Sequence, residues 1–211
     1  MTPPTPLADV AVAAELKRGV PLAVTVADQL ELGPHFERLG IDPSWLEAAG
    51  VTGRAGTVHA VPRPGSRPGT AWLVGVGTGS VRDYRAAGAA LTRAVGARAE
   101  TDRDAGRPAT RAVQLALPAP AGTDHAVAFA LGAALGSYRF RITGNDRSQA
   151  ARSVTLIGPG ELTPAVARAM VLARATGLTR DLANTPSDVK DPAWLATTAA
   201  RLAERVPGVV A

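Results

Sequence analysis

Cysteine is absent from this chain of 211 residues. Its absence excludes disulfides and thiolate metal sites, and it fits a reducing compartment such as the cytosol. Aromatic residues are also scarce, at 4%, whereas hydrophobic residues as a whole reach 46%. The core must therefore be built from Ala, Val and Leu. With 19% charged residues, the composition is typical of a folded domain and not of a disordered tail.

Long apolar runs are missing as well. No stretch of the sequence approaches the roughly 18 apolar residues needed to span a bilayer. The Pro-rich start, residues 1–9, has no basic segment ahead of an apolar one, so a secretory signal is not predicted. We therefore expect a soluble, cytoplasmic protein that does not bind membranes.

Lysine is nearly absent, because Lys17 and Lys190 are the only two. The net charge of +5 is thus carried by arginine. The arginines are scattered along the chain, and their longest local cluster is Arg139, Arg141 and Arg147. A dedicated nucleic-acid-binding domain usually concentrates its charge on one face. DNA binding is therefore only an alternative to the main interpretation below.

Six strands and five helices are predicted from the pattern of apolar residues. Period-2 or continuous apolar runs bounded by Gly and Pro predict strands at residues 9–13, 21–27, 56–61, 70–76, 111–117 and 152–157. Helical spacing predicts helices at residues 44–49, 81–96, 124–138, 163–184 and 193–206. The alternation predicts an α/β domain with a largely parallel or mixed sheet between helix layers.

Proline marks the starts of the last two helices. Thr163 and Asp191 each precede a proline, a pattern typical of a capping residue followed by the first helical position. After the second of these helices, Pro207-Gly208 predicts a turn, and residues 209–211 resemble the start of a strand. A strand of about three residues pairs only weakly, so we expect the natural protein to continue.

A glycine-rich turn, Gly75-Val76-Gly77-Thr78-Gly79-Ser80, lies between a predicted strand and a predicted helix. Backbone N–H groups at such a turn can hold phosphate. The dinucleotide fingerprint, however, needs glycine where Ser80 stands and an acidic residue about 20 positions further on. A tight strand-to-helix turn is the favoured interpretation, and a phosphate site is the alternative.

No catalytic or metal-binding constellation is present in the sequence. His35, His59 and His125 lack metal-ligand spacing. Asp102 and Asp104 lie in segment 101–108, which we interpret as a solvated loop where a carboxylate pair has no cleft for acid/base chemistry. The common hydrolase, zinc-protease and P-loop motifs are absent. We therefore assign no catalytic, cofactor-binding or metal-binding residue.

One segment resembles a known family. Thr179-Arg180-Asp181-Leu182-Ala183-Asn184-Thr185-Pro186-Ser187-Asp188 is similar to the Arg-Asp-Leu-x-Asn-x-Pro-Ser-Asn stretch of leucyl aminopeptidases (cytosol aminopeptidases), with Asp188 where the family usually has Asn. In that family the stretch follows a long helix that joins two domains, and here it ends predicted helix 163–184. Segments 72–77 and 132–140 resemble further family motifs in the same order.

The resemblance implies a domain plan and a function. It implies a macro-domain-like domain at residues 1–160, a linker helix at 161–184 and the truncated start of a catalytic domain at 185–211. Family members are two-metal aminopeptidases (hydrolases), usually hexameric, that use zinc, manganese or magnesium held by a C-terminal domain. The family's Asn-Thr-Asp-Ala-Glu-Gly-Arg and Gly-Lys-Gly-x-x-Phe-Asp-x-Gly-Gly motifs do not occur in this sequence.

By this resemblance, the chain is the non-catalytic N-terminal domain of such an enzyme, with a structural role in assembly. Its expected partner is the catalytic domain of the same protein, and the expected full-length state is a homo-oligomer. We expect the chain to be inactive alone and to hold no cofactor. The alternative is a binding module, either for an ADP-ribose-like nucleotide, because macro-like folds bind ADP-ribose, or for DNA.

Overall fold

A computed structural model describes residues 5–119, 121–140 and 150–204. Its strands are β1 Asp9–Ala13, β2 Leu22–Ala27, β3 Val58–Pro62, β4 Thr70–Gly77, β5 Ala112–Ala116 and β6 Ser153–Ile157. They form one sheet in the order β1-β6-β5-β2-β4-β3. Strand β3 is antiparallel to β4, and the other neighbouring pairs are parallel. The predicted mixed sheet is confirmed.

The helices are α1 Ser44–Ala48, α2 Val81–Asp104, α3 Thr123–Gly136, α4 Thr163–Asn184 and α5 Pro192–Ala203. Short 3-10 helices lie at Asp28–Leu30, Phe36–Leu39 and Gly160–Leu162. Within the described ranges, no helix is both long and apolar enough to cross a membrane. Every described α-helix was predicted from the sequence, with differences at the ends of α1, α2, α3 and α5, whereas the 3-10 helices were not predicted.

The sheet is covered on both faces, as the strand alternation requires. Side chains at alternate positions of a strand point to opposite faces. Trp72 and Val74 of β4 join the core cluster that contains α2, α3 and α4. Their neighbours Ala71 and Leu73 join a second cluster with residues such as Leu46 of α1. The long helices therefore cover one face, and short helical segments contribute to the cover on the other.

Helices α2 and α3 pack with their backbones close together because glycines lie between them. A Cβ added to Gly88 would lie 2.2 Å from the carbonyl oxygen of Phe129. A Cβ added to Gly132 would lie 2.0 Å from the carbonyl oxygen of Arg85. Neither distance is possible between real atoms, so this helix pair requires glycine at both positions.

Helix α2 is longer than predicted, and the interpretation of segment 101–108 as a solvated loop is wrong for its first part. The helix continues to Asp104, and the side chain of Asp102 is only 13% exposed. Its carboxylate accepts hydrogen bonds from Arg98 at 3.0 Å and from Arg107 at 2.9 Å. These arginine contacts, one of them spaced i to i+4, stabilise the additional turns.

Helix α4 packs into the core through the first part of its length. Its residues Val166, Ala169, Met170 and Ala173 are buried in the cluster that includes β1 and α3. The predicted capping role of Thr163 is wrong. A 3-10 turn precedes the helix, so Thr163 already has helical backbone angles, and no side chain caps this end.

Helix α5 begins as predicted, because the Asp191 carboxylate accepts a hydrogen bond from the Trp194 N–H at 2.6 Å. Of its described side chains, only Thr198 is buried. The predicted strand start at residues 209–211 lies outside the described residues, as do Arg141 and Arg147.

Candidate functional site: the Tyr138–Asp181 junction

Ser137 connects the end of α3 to the N-terminal segment. Its buried hydroxyl donates to the Ala134 carbonyl oxygen at 2.7 Å and accepts from the Ala8 N–H at 2.7 Å. This arrangement fixes the residue that follows, Tyr138, beside the segment that leads into β1. The hydroxyl gives the Ala8 N–H an acceptor inside the core, and it adds a second donor to the Ala134 carbonyl oxygen, which also accepts from the Ser137 N–H at 3.3 Å.

Asp181, in the last turn of α4, is the acceptor at the centre of this region. Its Oδ2 accepts from the Thr5 N–H at 2.8 Å. Its Oδ1 accepts from the Thr5 hydroxyl at 2.6 Å and from the Tyr138 hydroxyl at 2.9 Å. One carboxylate thus binds the N-terminal segment, the residues after α3 and the end of α4 together. Hydrogen bonds to a charged acceptor are stronger than neutral ones.

Tyr138 is held from two further directions. The Asn184 amide donates to its hydroxyl at 3.1 Å, and the Arg180 guanidinium lies 4.0 Å from the centre of its ring. A cation over an aromatic face is attracted by the ring quadrupole. Burial raises the pKa of Tyr138, and the negative charge of Asp181 raises it further, although the Asn184 hydrogen bond opposes the change. The Tyr138 phenol therefore remains neutral, and its hydroxyl donates a hydrogen bond to the Asp181 carboxylate.

The end of α4 is capped within the same motif. The Thr185 N–H and hydroxyl both donate to the Asp181 carbonyl oxygen, at 2.9 and 2.7 Å. The Lys190 ammonium donates to the carbonyl oxygens of Leu182 and Ala183 at 3.2 and 3.0 Å. A cation at this end also complements the helix dipole. These contacts fix where α4 ends and α5 begins.

We call Thr5, Tyr138, Arg180, Asp181 and Asn184 together the junction. Both Asp181 carboxylate oxygens are engaged by donors, and the Tyr138 proton is held in a hydrogen bond. Such an arrangement positions chain segments and is poorly suited to transferring protons to a substrate. In the sequence, Tyr138 and the 179–188 segment belong to separate family-like motifs, and only the fold brings them into contact.

In the glycine-rich turn between β4 and α2, the Asp83 carboxylate from the first turn of α2 takes the position that a bound anion would need. The N–H groups of Gly77 and Gly79 donate to backbone oxygens at 2.9 Å. The Ser80 N–H donates to Asp83 at 3.2 Å, and the Asp83 N–H donates to the Ser80 hydroxyl at 3.2 Å. The Ser80 hydrogen bond lowers the pKa of Asp83, so this carboxylate is charged at neutral pH. It would repel a phosphate, and the interpretation as a strand-to-helix turn is confirmed.

The three histidines lie apart in the structure. His125 accepts a hydrogen bond from the Gly122 N–H at 3.1 Å and contacts the Tyr84 ring edge-on. His35 is 3.9 Å from Glu37, and His59 lies in β3. In the described part of the chain, no group of three or more His, Cys, Asp or Glu side chains could hold a metal ion. The residues present therefore do not fit the two-metal centre that the resemblance implies for its family.

The structure also assembles a cluster of cations that the sequence did not reveal. Lys17, Arg18, Arg38, Arg63 and Arg67 line one hollow of about 500 Å³, which we call the basic groove. They come from three separate segments, so no local charge run marks them. Along the sequence, Arg139, Arg141 and Arg147 form the longest local cluster of arginines, but Arg139 is paired with Glu100.

Comparisons with known proteins agree with the resemblance. No family model matches the chain, and no curated protein sequence matches it. Several solved structures, however, match the chain. The bottromycin maturation enzyme BotP in complex with Mn matches over 93% of this chain and 36% of its own, with a TM-score of 0.62 and 29% identity.

Two aminopeptidases match as well. A mutant of tomato leucine aminopeptidase matches over 95% of this chain and 43% of its own, with a TM-score of 0.69 and 20% identity. The cytosol aminopeptidase from Coxiella burnetii matches over 92% of this chain and 37% of its own, with a TM-score of 0.51 and 20% identity.

These matches define the class of the chain. It has the fold of the N-terminal part of leucine aminopeptidase-like proteins, and it spans well under half the length of each neighbour. The resemblance inferred from the motifs at 72–77, 132–140 and 179–188 is thereby confirmed. The activity, substrates and partners of any whole protein of this kind are a separate question.

Proposed function

We propose that this chain is the non-catalytic N-terminal part of a two-metal leucyl aminopeptidase that removes N-terminal residues from peptides. Its own role is structural. Residues 1–160 form a macro-domain-like unit, residues 161–184 form the linker helix, and residues 185–211 begin the catalytic domain. The junction sets the direction in which the chain leaves α4 toward that domain.

The observation that carries this proposal is the contact between Tyr138 and Asp181. It joins two segments that each resemble a leucyl aminopeptidase motif, at the point where the long helix ends. A side chain that fixes a helix end by several hydrogen bonds transmits the orientation of one domain to the next. The TM-score of 0.69 to the tomato leucine aminopeptidase supports the same reading.

The metal ions belong to the remainder of the parent protein in this proposal. Two divalent cations need several carboxylate ligands, and the described residues offer no such group. Manganese accompanies BotP, one of the structural neighbours, which supports zinc, manganese or magnesium in the parent. The parent is further proposed to be a cytoplasmic homo-oligomer, a hexamer, and the cytosol aminopeptidase among the neighbours supports the location.

An aminopeptidase assay tests the proposal directly. Purified chain incubated with Leu-p-nitroanilide and Mn²⁺, Zn²⁺ or Mg²⁺ is expected to release no p-nitroaniline above the metal-only blank, because its described residues offer no ligand group for the ions that activate water. An authentic leucine aminopeptidase under the same conditions is the positive control. Metal-dependent turnover by this chain, or two divalent ions retained per chain after dialysis, would contradict the proposal.

The nucleotide-binding alternative is opposed by the occupied turn at Ser80 and Asp83. Calorimetry with ADP-ribose is expected to show no binding at this turn, because Asp83 already takes the place of an anion at the start of α2. The variant Asp83→Asn removes the repelling charge and serves as the comparison. Because the cations of the basic groove also attract phosphate groups, the titration is repeated on Arg63→Gln/Arg67→Gln. Saturable binding that this groove variant retains in full would restore the alternative.

A further inference from the structure

The basic groove has the size of a small-molecule site and an unusual charge. Its volume of about 500 Å³ falls in the range of roughly 300–1,000 Å³ typical of ligand pockets. Lys17, Arg18, Arg38, Arg63 and Arg67 line it, and the described lining residues include no carboxylate. A hollow with one sign of charge attracts ligands of the opposite sign.

The charges of the basic groove are not neutralised by ion pairs in the described part of the chain. Across residues 5–119, 121–140 and 150–204, none of its five cations forms an ion pair. An adjoining hollow provides a contrast. It shares Arg67 with the groove and is also lined by Arg98 and Arg107, but both of those arginines bind Asp102.

Two of the three segments that carry the cations are held by hydrogen bonds to their backbone groups. Gln114, which is 3% exposed, accepts from the Lys17 N–H at 2.8 Å and donates to the carbonyl oxygens of Lys17 and Val20 at 2.9 and 3.0 Å. The loop that bears Arg63 and Arg67 is closed by the Arg63 N–H, which donates to the Gly69 carbonyl oxygen at 2.9 Å. Fixed segments lower the ordering cost of binding a ligand.

The composition of the groove indicates the chemistry of its ligand. Four of the five cations are arginines, whose planar guanidinium groups bind phosphate oxygens in pairs. The described lining residues include no aromatic side chain, so the groove lacks a surface on which nucleic-acid bases could stack. It lies at the amino end of β2 and beside the loop between β3 and β4, away from the glycine-rich turn at the carboxyl end of β4. Recognition here therefore rests on clustered phosphate charge.

We propose that the basic groove is a binding site for a small molecule that carries several phosphate groups, an oligophosphate. The site is independent of the junction and of the aminopeptidase relationship. It assigns to this chain a ligand-binding function of its own, in addition to its structural role.

Calorimetry with inorganic tripolyphosphate tests the site. One saturable site is expected, with an affinity that falls as salt is added because exposed charges are screened. The double variant Arg63→Gln/Arg67→Gln is expected to weaken binding by about tenfold, since two close charges are lost. Arg82→Gln/Arg93→Gln, which removes the same charge from the exposed side of α2, is the matched control and should change affinity by no more than about twofold.

Thermal melting shows whether the first variant folds. A second double variant, Lys17→Gln/Arg38→Gln, removes two charges from the other two segments of the groove. It is expected to weaken binding in the same way, so the test remains decisive if the first variant does not fold. Citrate separates phosphate recognition from attraction of any polyanion and is expected to bind about tenfold more weakly. Absence of saturable tripolyphosphate binding, equal losses in groove and control variants, equal affinity for citrate, or binding only of duplex DNA would each overturn the proposal.

Discussion

At the scale of single residues, Asp181 and Asp83 illustrate two uses of a carboxylate. Asp181 connects three chain segments, whereas Asp83 closes the start of one helix through a reciprocal hydrogen-bond pair with Ser80. Both carboxylates accept hydrogen bonds from groups of the same chain. Both therefore act on stability, which makes them measurable without knowledge of a substrate.

Replacing Asp181 with Ala is expected to lower the free energy of unfolding by about 2 kcal/mol, because the Thr5 N–H and two hydroxyls lose their acceptor in a partly buried place. Urea denaturation measures the change. The matched control is Asp188→Ala in the same motif, since the exposed Asp188 side chain has no hydrogen-bond partner among the described residues. A loss as large in the control would show that the junction contacts are not the cause.

Asp83 should make stability depend on acid pH. Its pKa in the folded protein is lowered from 3.8, chiefly by the Ser80 hydrogen bond. The ionised form therefore stabilises the fold above the unfolded-state pKa, and this contribution is lost as the pH falls through about 4 toward the folded value. The stability gap between the unmodified chain and Asp83→Asn is thus expected to shrink between about pH 6 and about pH 3.

Urea titrations at the two pH values measure that gap. Asp188→Asn provides the baseline for removing an exposed carboxylate of the same type. An Asp83→Asn gap that stays constant, or widens, toward acid would contradict the assigned role of the carboxylate. Asp102 would add to the acid sensitivity of both proteins alike, because burial raises its pKa but the stronger effect of Arg98 and Arg107 lowers it overall.

At the scale of elements, the α2–α3 pair depends on close backbone approach. Gly132→Ala is expected to cost about 1–3 kcal/mol of unfolding free energy, because the new methyl group would overlap the Arg85 carbonyl oxygen and force the helices apart. Gly177→Ala in α4 is the control. Its nearest neighbour, a flexible Leu7 methyl group, lies 3.3 Å away, and alanine favours a helix interior by about 0.5–1 kcal/mol.

Thermal or urea unfolding of both glycine variants decides this point. The expected order is Gly132→Ala below the unmodified chain and Gly177→Ala equal to it or above. If Gly132→Ala were as stable as the unmodified chain, the close packing of α2 against α3 would not be required.

At the scale of the whole molecule, long helices pack on one face of the sheet and short helical segments contribute to the other. The fold presents two separate features, the junction and the basic groove. The junction gathers the N-terminal segment and the ends of α3 and α4. The basic groove opens at the amino end of β2, and Gln114 holds one of the three segments that carry its cations. The aminopeptidase assay tests the proposed non-catalytic role and the oligophosphate titration tests the basic groove, so either proposal can fail without the other.

Most elements could be predicted from the sequence because strand and helix periodicity, proline positions and the Asp191 cap are local properties. The predicted strands and helices correspond to β1–β6 and α1–α5, and the 179–188 segment identified the structural class. The end of α2 and the cap at Thr163 could not be predicted. The first depends on arginines that fold back onto Asp102, and the second on a 3-10 turn that enters α4.

Thus the sequence by itself determined the α/β class, a largely parallel or mixed sheet and the likeness to leucine aminopeptidases, since these follow from apolar periodicity and short contiguous motifs. Only the tertiary structure decided the strand order, the contact of Tyr138 with Asp181 and the gathering of five cations from three segments. Those features depend on residues far apart in the chain, and their distances are set by how the helices pack on the sheet.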